Sequence, residues 1–220
     1  MIKTSELYNL KYTLAGEYLA GFEYPWQALA GISDLILQLG SQLDDNYREI
    51  APNVWVHKTA VIAPTAFIGG PCIVGANTEV RHCAFIRGSA LIGKGCVVGN
   101  SVELKNAILF DGVQVPHFNY VGDSILGCKS HMGVGAVTSN FKSDASVVVV
   151  KHGEEQISTG LQKFGAMLGD FVEVGCNSVL NPGTVVGRNT TVYPTSCVRG
   201  VIPENCILKT GGVIVRKENR

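Results

Sequence analysis

Side chains that could do chemistry concentrate between Arg87 and Asn140. The set is Arg87, Lys105, His117, Asn119, Tyr120, Asp123, His131 and Asn140. Arginine binds phosphate through paired donors and lysine binds it as a point charge. Histidine titrates near neutral pH and is the usual general base. These residue types therefore favour an anion site beside a group that can accept a proton.

Arg87 and Lys105 are eighteen residues apart. In a solenoid with about eighteen residues per coil, they would stack one above the other on the same edge. Two stacked cations repel unless an anion lies there, and a phosphate would suit them. The alternative is a charged edge, salt-bridged to Glu103 or Asp123. The spacing leaves both interpretations open.

His117 follows Pro116 and comes three residues before Tyr120, which indicates a turn rather than a core position. A histidine in such a turn can serve as a general base. It can equally be an ordinary surface side chain.

A six-residue repeat must position these groups. Aliphatic residues recur without a miss at Ile50, Val56, Ile62, Ile68, Val74, Val80, Ile86, Ile92, Val98 and Leu104, and again from Leu168 to Val198. A helix, with its period of 3.6, would scatter them around its axis. Six residues make one short strand and a turn, and three such units close one coil. The pattern predicts an all-β solenoid of hexapeptide repeats, a parallel β-helix with a short N-terminal helical segment.

The repeat also divides the chain. Residues 1–47 lack it and predict two helices that cap one end of the solenoid. Residues 48–200 form the β-helix, interrupted at about 139–165 by a loop or hairpin. Residues 201–220 form a C-terminal tail. Five-residue steps after Leu104 and Val121 predict local distortion of the coil there.

Composition limits the class of function. Lys plus Arg equals Asp plus Glu at 18 each, so nothing calls for nucleic acid or an anionic membrane. The seven cysteines are irregularly spaced, and Cys72 and Cys96 occupy small inward positions, as buried thiols of a reducing compartment would. No signal peptide or membrane span is evident, so we expect a cytoplasmic protein.

Four stretches of the sequence carry a resemblance to a known family. VELKNAILFDGVQVPHFNYVGDSILG, GVGAVTSNF and LGDFVEVGCNSVLNPGTVVG resemble the left-handed β-helix acetyltransferase domain of the bifunctional N-acetylglucosamine-1-phosphate uridyltransferase and glucosamine-1-phosphate acetyltransferase family. STGLQKFGAMLGD is closer to the archaeal sugar-1-phosphate nucleotidylyltransferase and acetyltransferase branch. The resemblance covers about residues 50–200. It implies that the β-helix is left-handed and that the chain is an acetyl-CoA-dependent N-acetyltransferase of nucleotide-sugar biosynthesis, acting on an amino-sugar phosphate such as glucosamine-1-phosphate.

The same resemblance implies roles for single residues. His117 falls on the catalytic base. The substrate-binding positions fall on Arg87, Lys105, Tyr120, His131 and Asn140, and the acetyl-CoA positions on Val134, Cys176 and Tyr193. Family members are homotrimers with the active site between subunits, and no tightly bound metal is expected.

The sequence departs from this family in several places. His131 stands where the bacterial enzymes have an asparagine, and Phe141 replaces a tyrosine. The lysine that follows Asn140 in the family has only Lys142 and Lys151 as candidates. Residues 1–47 contain no nucleotide-binding fold, so we expect no uridyltransferase activity from this chain.

Two other functions remain open. The γ-type carbonic anhydrases share the scaffold, and His82, His117 and His131 are the histidines that could bind their zinc. A non-catalytic trimeric scaffold, or a sugar-phosphate or nucleotide-sugar binder, is the second alternative.

Overall fold

The structure, a computed structural model, describes residues 1–218. Short strands pair in parallel with strands one coil earlier and one coil later, as Val54–Val56 with Cys72–Val74 and Cys72–Val74 with Ala90–Ile92. The predicted fold, an all-β solenoid of the left-handed parallel β-helix type, is confirmed.

The helical elements all precede the solenoid. They are α1 (Thr4–Leu7), a 3₁₀ helix (Leu10–Tyr12), α2 (Gly16–Ala20), a second 3₁₀ helix (Pro25–Gly31) and α3 (Ile32–Gly40). The structure therefore has five short helical elements where the sequence predicted two helices.

The strands follow in chain order: β1 (Tyr47–Ala51), β2 (Val54–His57), β3 (Val61–Ile62), β4 (Phe67–Ile68), β5 (Cys72–Val74), β6 (Glu79–Val80), β7 (Phe85–Ile86), β8 (Ala90–Ile92), β9 (Val97–Asn100), β10 (Glu103–Leu109), β11 (Gln114–His117), β12 (Tyr120–Leu126), β13 (His131–Met132), β14 (Val137–Thr138), β15 (Val149–His152), β16 (Glu155–Ser158), β17 (Ala166–Leu168), β18 (Glu173–Val174), β19 (Val179–Leu180), β20 (Thr184–Val186), β21 (Thr191–Val192), β22 (Cys197–Val198), β23 (Val201–Ile202), β24 (Cys206–Leu208) and β25 (Ile214–Arg216).

The coils present three faces, which we call A, B and C and define by their outward-pointing residues. Face A carries the ladder Trp55, Ile73, Leu91, Ile108, Ile125, Met167, Val185 and Val201. Face B carries Val61, Glu79, Val97, Gln114, His131, Glu173, Thr191 and Ile207. Face C carries Phe67, Phe85, Glu103, Tyr120, Val137, Val179 and Cys197.

The six-residue aliphatics point inward and form the core. Val80, Val98 and Val115, for example, stack on face B with at most 1% of their surface exposed. Burying one such side chain contributes about 1.5–3 kcal/mol, and each coil buries the side chains of the coil below it. The uninterrupted repeat is therefore what holds the coils in register.

The N-terminal segment, residues 1–46, does not cap an end of the solenoid as the sequence predicted. It runs along face A: α3 contacts β5, β8 and β10, and the Tyr8 hydroxyl donates to the Ile125 carbonyl at 3.2 Å. The outward residues Ile73, Leu91, Ile108 and Ile125 are consequently buried, at 1% exposure or less. An outward ladder of aliphatic side chains needs such a cover because it would otherwise lie in water.

The predicted distortion after Leu104 and Val121 takes a specific form. β10 and β12 each run for seven residues, without a break, from face C around the corner onto face A. Asn106 and Asp123 turn these corners with φ of 48° and 47°. Asparagine and aspartate tolerate this left-handed conformation better than most residues, which suits them to the tight turn.

The predicted excursion between coils contains an antiparallel hairpin of β15 and β16. Val148 and Val150 are fully buried, and β15 contacts β23. The C-terminal boundary differs from the prediction. β23 and β24 still pair with β20 and β21, so the solenoid continues to Leu208 rather than ending at residue 200. The last two residues of the predicted tail, 219 and 220, lie outside the described residues.

Among residues 1–218, no helix combines the length and hydrophobicity needed to cross a membrane.

Candidate active site

The first part of the site is the edge between faces C and A, which we call the Lys105 edge: Arg87, Lys105, Asn106, Asp123 and Asn140. Arg87 Nη1 donates to Glu103 Oε1 at 2.9 Å, and Lys105 Nζ lies 3.2 Å from Asp123 Oδ2. Both cations are therefore ion-paired within the chain. The salt-bridged alternative describes this structure, and a phosphate role for the two cations stays a prediction.

Asp123 is the most buried charged group on this edge, with only 6% of its side chain exposed. Three side chains donate to it: Lys105, Asn106 at 2.9 Å, and Asn140. The Asn106 amide also donates to the Leu29 carbonyl at 3.3 Å, which links the edge to the N-terminal segment. Asn106 was not predicted as a site residue, and its only signal in the sequence is its place in the shortened step after Leu104.

Tyr120 lies on face C and leans over Gly122 toward the Lys105 edge. A Cβ at Gly122 would lie 2.7 Å from Tyr120 Cζ and 2.9 Å from Asn140 Nδ2, so this close approach requires glycine. Asn140 Nδ2 donates to the Tyr120 hydroxyl oxygen at 3.1 Å. Burial, followed by the charge of Asp123, raises the pKa of Tyr120, so its hydroxyl keeps its proton at neutral pH.

His117 lies on the opposite edge of face C, at the end of β11. Its side chain is exposed, and its backbone is held by the buried Asn119 amide. Asn119 Oδ1 accepts from the His117 N–H at 3.1 Å, while its Nδ2 donates to the Gly133 and Ala136 carbonyls at 2.8 and 3.0 Å. Asn119 therefore fixes the His117 turn against the turn of the next coil.

The His117 turn and the turns of the following coils stack in a column on this edge. We call it the His117 edge, and its residues are His117, Val134, Cys176 and Tyr193. The Gly135 N–H donates to the His117 carbonyl, Asn177 to Val134 and Thr195 to Cys176, at 2.8–3.1 Å. The three residues predicted for acetyl-CoA thus follow His117 in successive coils on one edge. All three are exposed, Val134 by 42% and Tyr193 by 39%.

His131 is the one predicted substrate residue that the structure places elsewhere. It points outward from face B, and its Nδ1 lies 2.8 Å from Glu173 Oε2 of the next coil. Within one chain it does not join Arg87, Lys105, Tyr120 and Asn140. The reason is position in the coil, since β13 is a face B strand whereas the other four groups lie on or beside face C.

Of the two candidate lysines beyond Asn140, Lys142 stays near the Lys105 edge. Lys142 lies two residues after Asn140 and donates to the Ser146 hydroxyl. Lys151 lies in β15, whose backbone packs beside Gly200 in a later coil. Which of the two is the counterpart of the family's lysine stays a prediction.

Among residues 1–218, no group of three His, Cys, Asp or Glu side chains is placed to hold a metal ion. His82 bonds to Thr65 at 3.0 Å and lies two coils before His117 on the same edge, because its turn stacks on the Asn100 turn and that turn on His117. His131 bonds to Glu173 on face B.

Comparison with known proteins bears on what this arrangement does. Residues 68–153 match the family described as the GMPPB C-terminal domain. The chain is 29% identical over 199 residues to the bifunctional protein GlmU of Methanococcus maripaludis. This alignment covers 89% of this chain and 48% of that protein. It is 33% identical over 92 residues to a bifunctional sugar-1-phosphate nucleotidylyltransferase/acetyltransferase of Sulfurisphaera tokodaii, covering 42% of this chain and 23% of that protein.

The chain is similar to the GlmU proteins. The resemblance predicted from the sequence is thereby confirmed. The chain spans about half the length of the first of these relatives and less of the second. Among solved structures, the acetyltransferase domain of PglB from Neisseria gonorrhoeae in complex with acetyl coenzyme A aligns over 83% of this chain and 63% of that one, with 16% identity and a TM-score of 0.34.

Proposed function

We propose that this chain is an acetyl-CoA-dependent N-acetyltransferase whose acceptor is an amino-sugar phosphate such as glucosamine-1-phosphate. The observation that carries the proposal is the arrangement around β12. Strand β12 begins at Tyr120, three residues after His117, and continues through Asp123. One coil therefore joins the His117 edge to the Lys105 edge. The relatives named GlmU and sugar-1-phosphate nucleotidylyltransferase/acetyltransferase support the same chemistry.

In this proposal the acceptor phosphate binds at Arg87 and Lys105, with Tyr120 and Asn140 contacting the sugar. The acetyl-CoA thioester lies along the His117 edge, beside Val134, Cys176 and Tyr193. Among residues 1–218 the Val134 N–H has no hydrogen-bond acceptor, so it can donate to the thioester carbonyl oxygen.

The sugar amine attacks the thioester carbonyl carbon, and His117 accepts the proton that the amine loses. Negative charge develops on the carbonyl oxygen and is stabilised by the Val134 N–H. The new C–N bond forms, the C–S bond breaks, and the thiolate of coenzyme A leaves with the proton returned by His117. The products are the N-acetylated sugar phosphate and free coenzyme A.

We further propose a homotrimer with a shared site. His131 lies on another face of its own chain, so it can reach the acceptor only from a neighbouring copy. Face C also leaves Phe67 and Phe85 exposed by 59% and 44%, with their ring centroids 5.6 Å apart. Exposed paired aromatics of this kind are typical of a surface that another protein chain covers.

The deciding experiment is His117→Ala, assayed by thiol release from acetyl-CoA with glucosamine-1-phosphate. Loss of a general base should reduce turnover at least about a hundredfold while the solenoid stays folded. His152→Ala, at an exposed position in β15, is the matched control and should keep full activity. Full activity of His117→Ala would refute the assignment.

A non-catalytic sugar-phosphate binder or scaffold is the second candidate. The pairing of Arg87 with Glu103 and of Lys105 with Asp123 favours it, because these ion pairs hold the cations without any substrate. Binding of several amino-sugar phosphates, with no thiol release from acetyl-CoA in any case, would establish this alternative.

A further inference from the structure

Asp123 stands apart from the other charged groups of the candidate site. The residue is buried, its backbone is in the left-handed conformation, and its carboxylate accepts hydrogen bonds from a lysine and two amides. Burying a carboxylate costs free energy unless several donors compensate it. A carboxylate so fully surrounded by donors constrains the orientation of each of them.

The constraint on Asn140 follows from hydrogen-bond chemistry. A carboxylate only accepts hydrogen bonds, so the Asn140 amide must present its NH₂ group, not its oxygen, to Asp123. The same NH₂ group then donates to the Tyr120 hydroxyl oxygen at 3.1 Å. Because that oxygen already accepts one bond, the hydrogen of the hydroxyl is left to donate away from Asn140, toward a ligand on face C.

The constraint on Lys105 is electrostatic. Its ammonium group lies 3.2 and 3.5 Å from the two oxygens of Asp123, and its side chain is 26% exposed. An ammonium group has three donors, so the bonds to Asp123 hold it in place while leaving donor capacity for an anion. Asn106 completes the arrangement, because it links the same carboxylate to Leu29 of the N-terminal segment.

We infer that Asp123 is a positioning residue for the acceptor: it holds the Lys105 ammonium and, through Asn140, directs the Tyr120 hydroxyl hydrogen toward the acceptor. The inference rests on the proposed function and adds to it the group that orients the binding residues. Asp123 itself does not contact the acceptor.

The test is a double-mutant cycle of Asp123→Asn and Tyr120→Phe, read as KM for glucosamine-1-phosphate. Asparagine has the size of aspartate and tolerates the left-handed backbone, so it changes only charge and hydrogen bonding. Asp123→Asn should raise this KM about tenfold, because that is the effect of losing one hydrogen bond to a charged group. The KM for acetyl-CoA should change little. Tyr120→Phe should raise KM in the wild type and add nothing in Asp123→Asn. An unchanged KM, or additive effects, would overturn the inference.

Asp170→Asn is the matched control for a merely structural effect. Asp170 is equally buried, at 2% exposure, and binds Arg188 and the Asn9 N–H on another edge. This variant should lower the melting temperature without changing KM for the acceptor. If it raises KM as much as Asp123→Asn does, general loosening explains both variants and Asp123 has no positioning role.

A second variant and a second readout separate this inference from the proposed function. Asn106→Gly keeps the positive φ and every ligand-facing residue but removes one donor to Asp123. Asp123→Asn removes the carboxylate that holds the Lys105 ammonium, so Lys105 should react several-fold faster with an amine-acylating reagent, measured by mass spectrometry against the other lysines. Asn106→Gly keeps that carboxylate, so it is the matched control and should leave the labelling of Lys105 near the wild-type rate. This readout needs no turnover. If the wild type transfers no acetyl group, the proposed function fails, and unchanged Lys105 labelling in Asp123→Asn would independently refute the role of Asp123.

Discussion

Arg87 and Lys105 are held differently although they stack on one edge. Arg87 is 46% exposed and pairs with a partly exposed glutamate, whereas Lys105 pairs with a buried aspartate. An exposed pair contributes only about 0–1 kcal/mol, so Arg87 can leave Glu103 at little cost when an anion arrives. Lys105 is the fixed cation of the two and Arg87 the adaptable one.

Arg87→Lys tests this distinction. Lysine keeps the charge but loses the paired donors, so KM for glucosamine-1-phosphate should rise about tenfold with a smaller change in kcat. Steady-state thiol-release assays measure both constants. Arg81→Lys is the matched control, since Arg81 pairs with Glu79 on another edge at similar exposure. Equal effects of the two variants would contradict a specific role for Arg87.

The buried thiols make a prediction about pH. Burial raises the pKa of Cys72 and of Cys96 from 9.0 to about 12. As pH rises from about 9 toward 12, these thiols ionise in the unfolded chain and stay protonated in the folded one. The stability they contribute below pH 9 is therefore lost over that range, by about 1.4 kcal/mol per thiol between pH 8 and 10.

Urea unfolding at pH 8 and pH 10 measures the loss, and a Cys72→Ala/Cys96→Ala variant should show a smaller change between the two pH values. Equal pH dependence of the two proteins would count against the buried-thiol explanation.

The exposed thiols Cys83, Cys176 and Cys197 should be alkylated before the buried ones in the folded protein.

At the scale of elements, the N-terminal segment acts as a cover for face A. It reaches late coils as well: the Asp170 N–H donates to the Leu7 carbonyl at 3.0 Å, and Arg188 Nε donates to the same oxygen at 3.0 Å. Trp26 stacks on Tyr24 at 4.8 Å and on Phe164 at 5.8 Å. These contacts tie the segment to most of the length of the solenoid.

Leu91→Ala tests this packing. Leu91 is 1% exposed beneath the N-terminal segment, so its truncation should lower the free energy of unfolding by about 2–5 kcal/mol. Val61→Ala, at an outward position of face B that is 65% exposed, should change it by no more than about 0.5 kcal/mol. Urea unfolding monitored by circular dichroism compares the two. A similar small effect for both would show that the segment does not pack on face A in solution.

At the scale of the whole molecule, the position of His131 makes a shared site testable. The variants Lys105→Ala and His131→Ala should each release thiol from acetyl-CoA more slowly than the wild type. If a site takes Lys105 from one copy and His131 from another, trimers mixed from the two variants regain some intact sites and measurable thiol release. Mixing Lys105→Ala with Asn140→Ala, whose residues share one edge, should restore nothing. Recovery in neither mixture would exclude sharing through His131.

Much of the fold was predictable because it depends on local periodicity. One inward aliphatic residue every six positions determines strand, turn and coil without reference to distant segments, and it also placed Arg87 and Lys105 in adjacent coils. The predicted start of the solenoid and the predicted excursion rest on where the period begins and where it breaks. The continuation to Leu208 was missed because the six-residue step shortens to four between Val198 and Ile202, which breaks the period there.

The cover on face A had a signal that periodicity alone does not use. The outward residue before each inward aliphatic is apolar on face A, at Ile73, Leu91, Ile108 and Ile125, whereas face B has Glu79, Gln114 and Glu173 at the equivalent places. An apolar outward ladder on only one face predicts that another segment lies over it.

The sequence by itself thus determined the β-helix, its core and the alignment of residues along each edge, because short-range periodicity decides which way each side chain points. Only the tertiary structure decided the partners. It paired Lys105 with Asp123 and Arg87 with Glu103, joined Asn106 to Leu29, and placed His131 on another face. Such pairings depend on distances between residues from different coils and segments, and a repeat that fixes direction leaves the choice among neighbouring partners to packing.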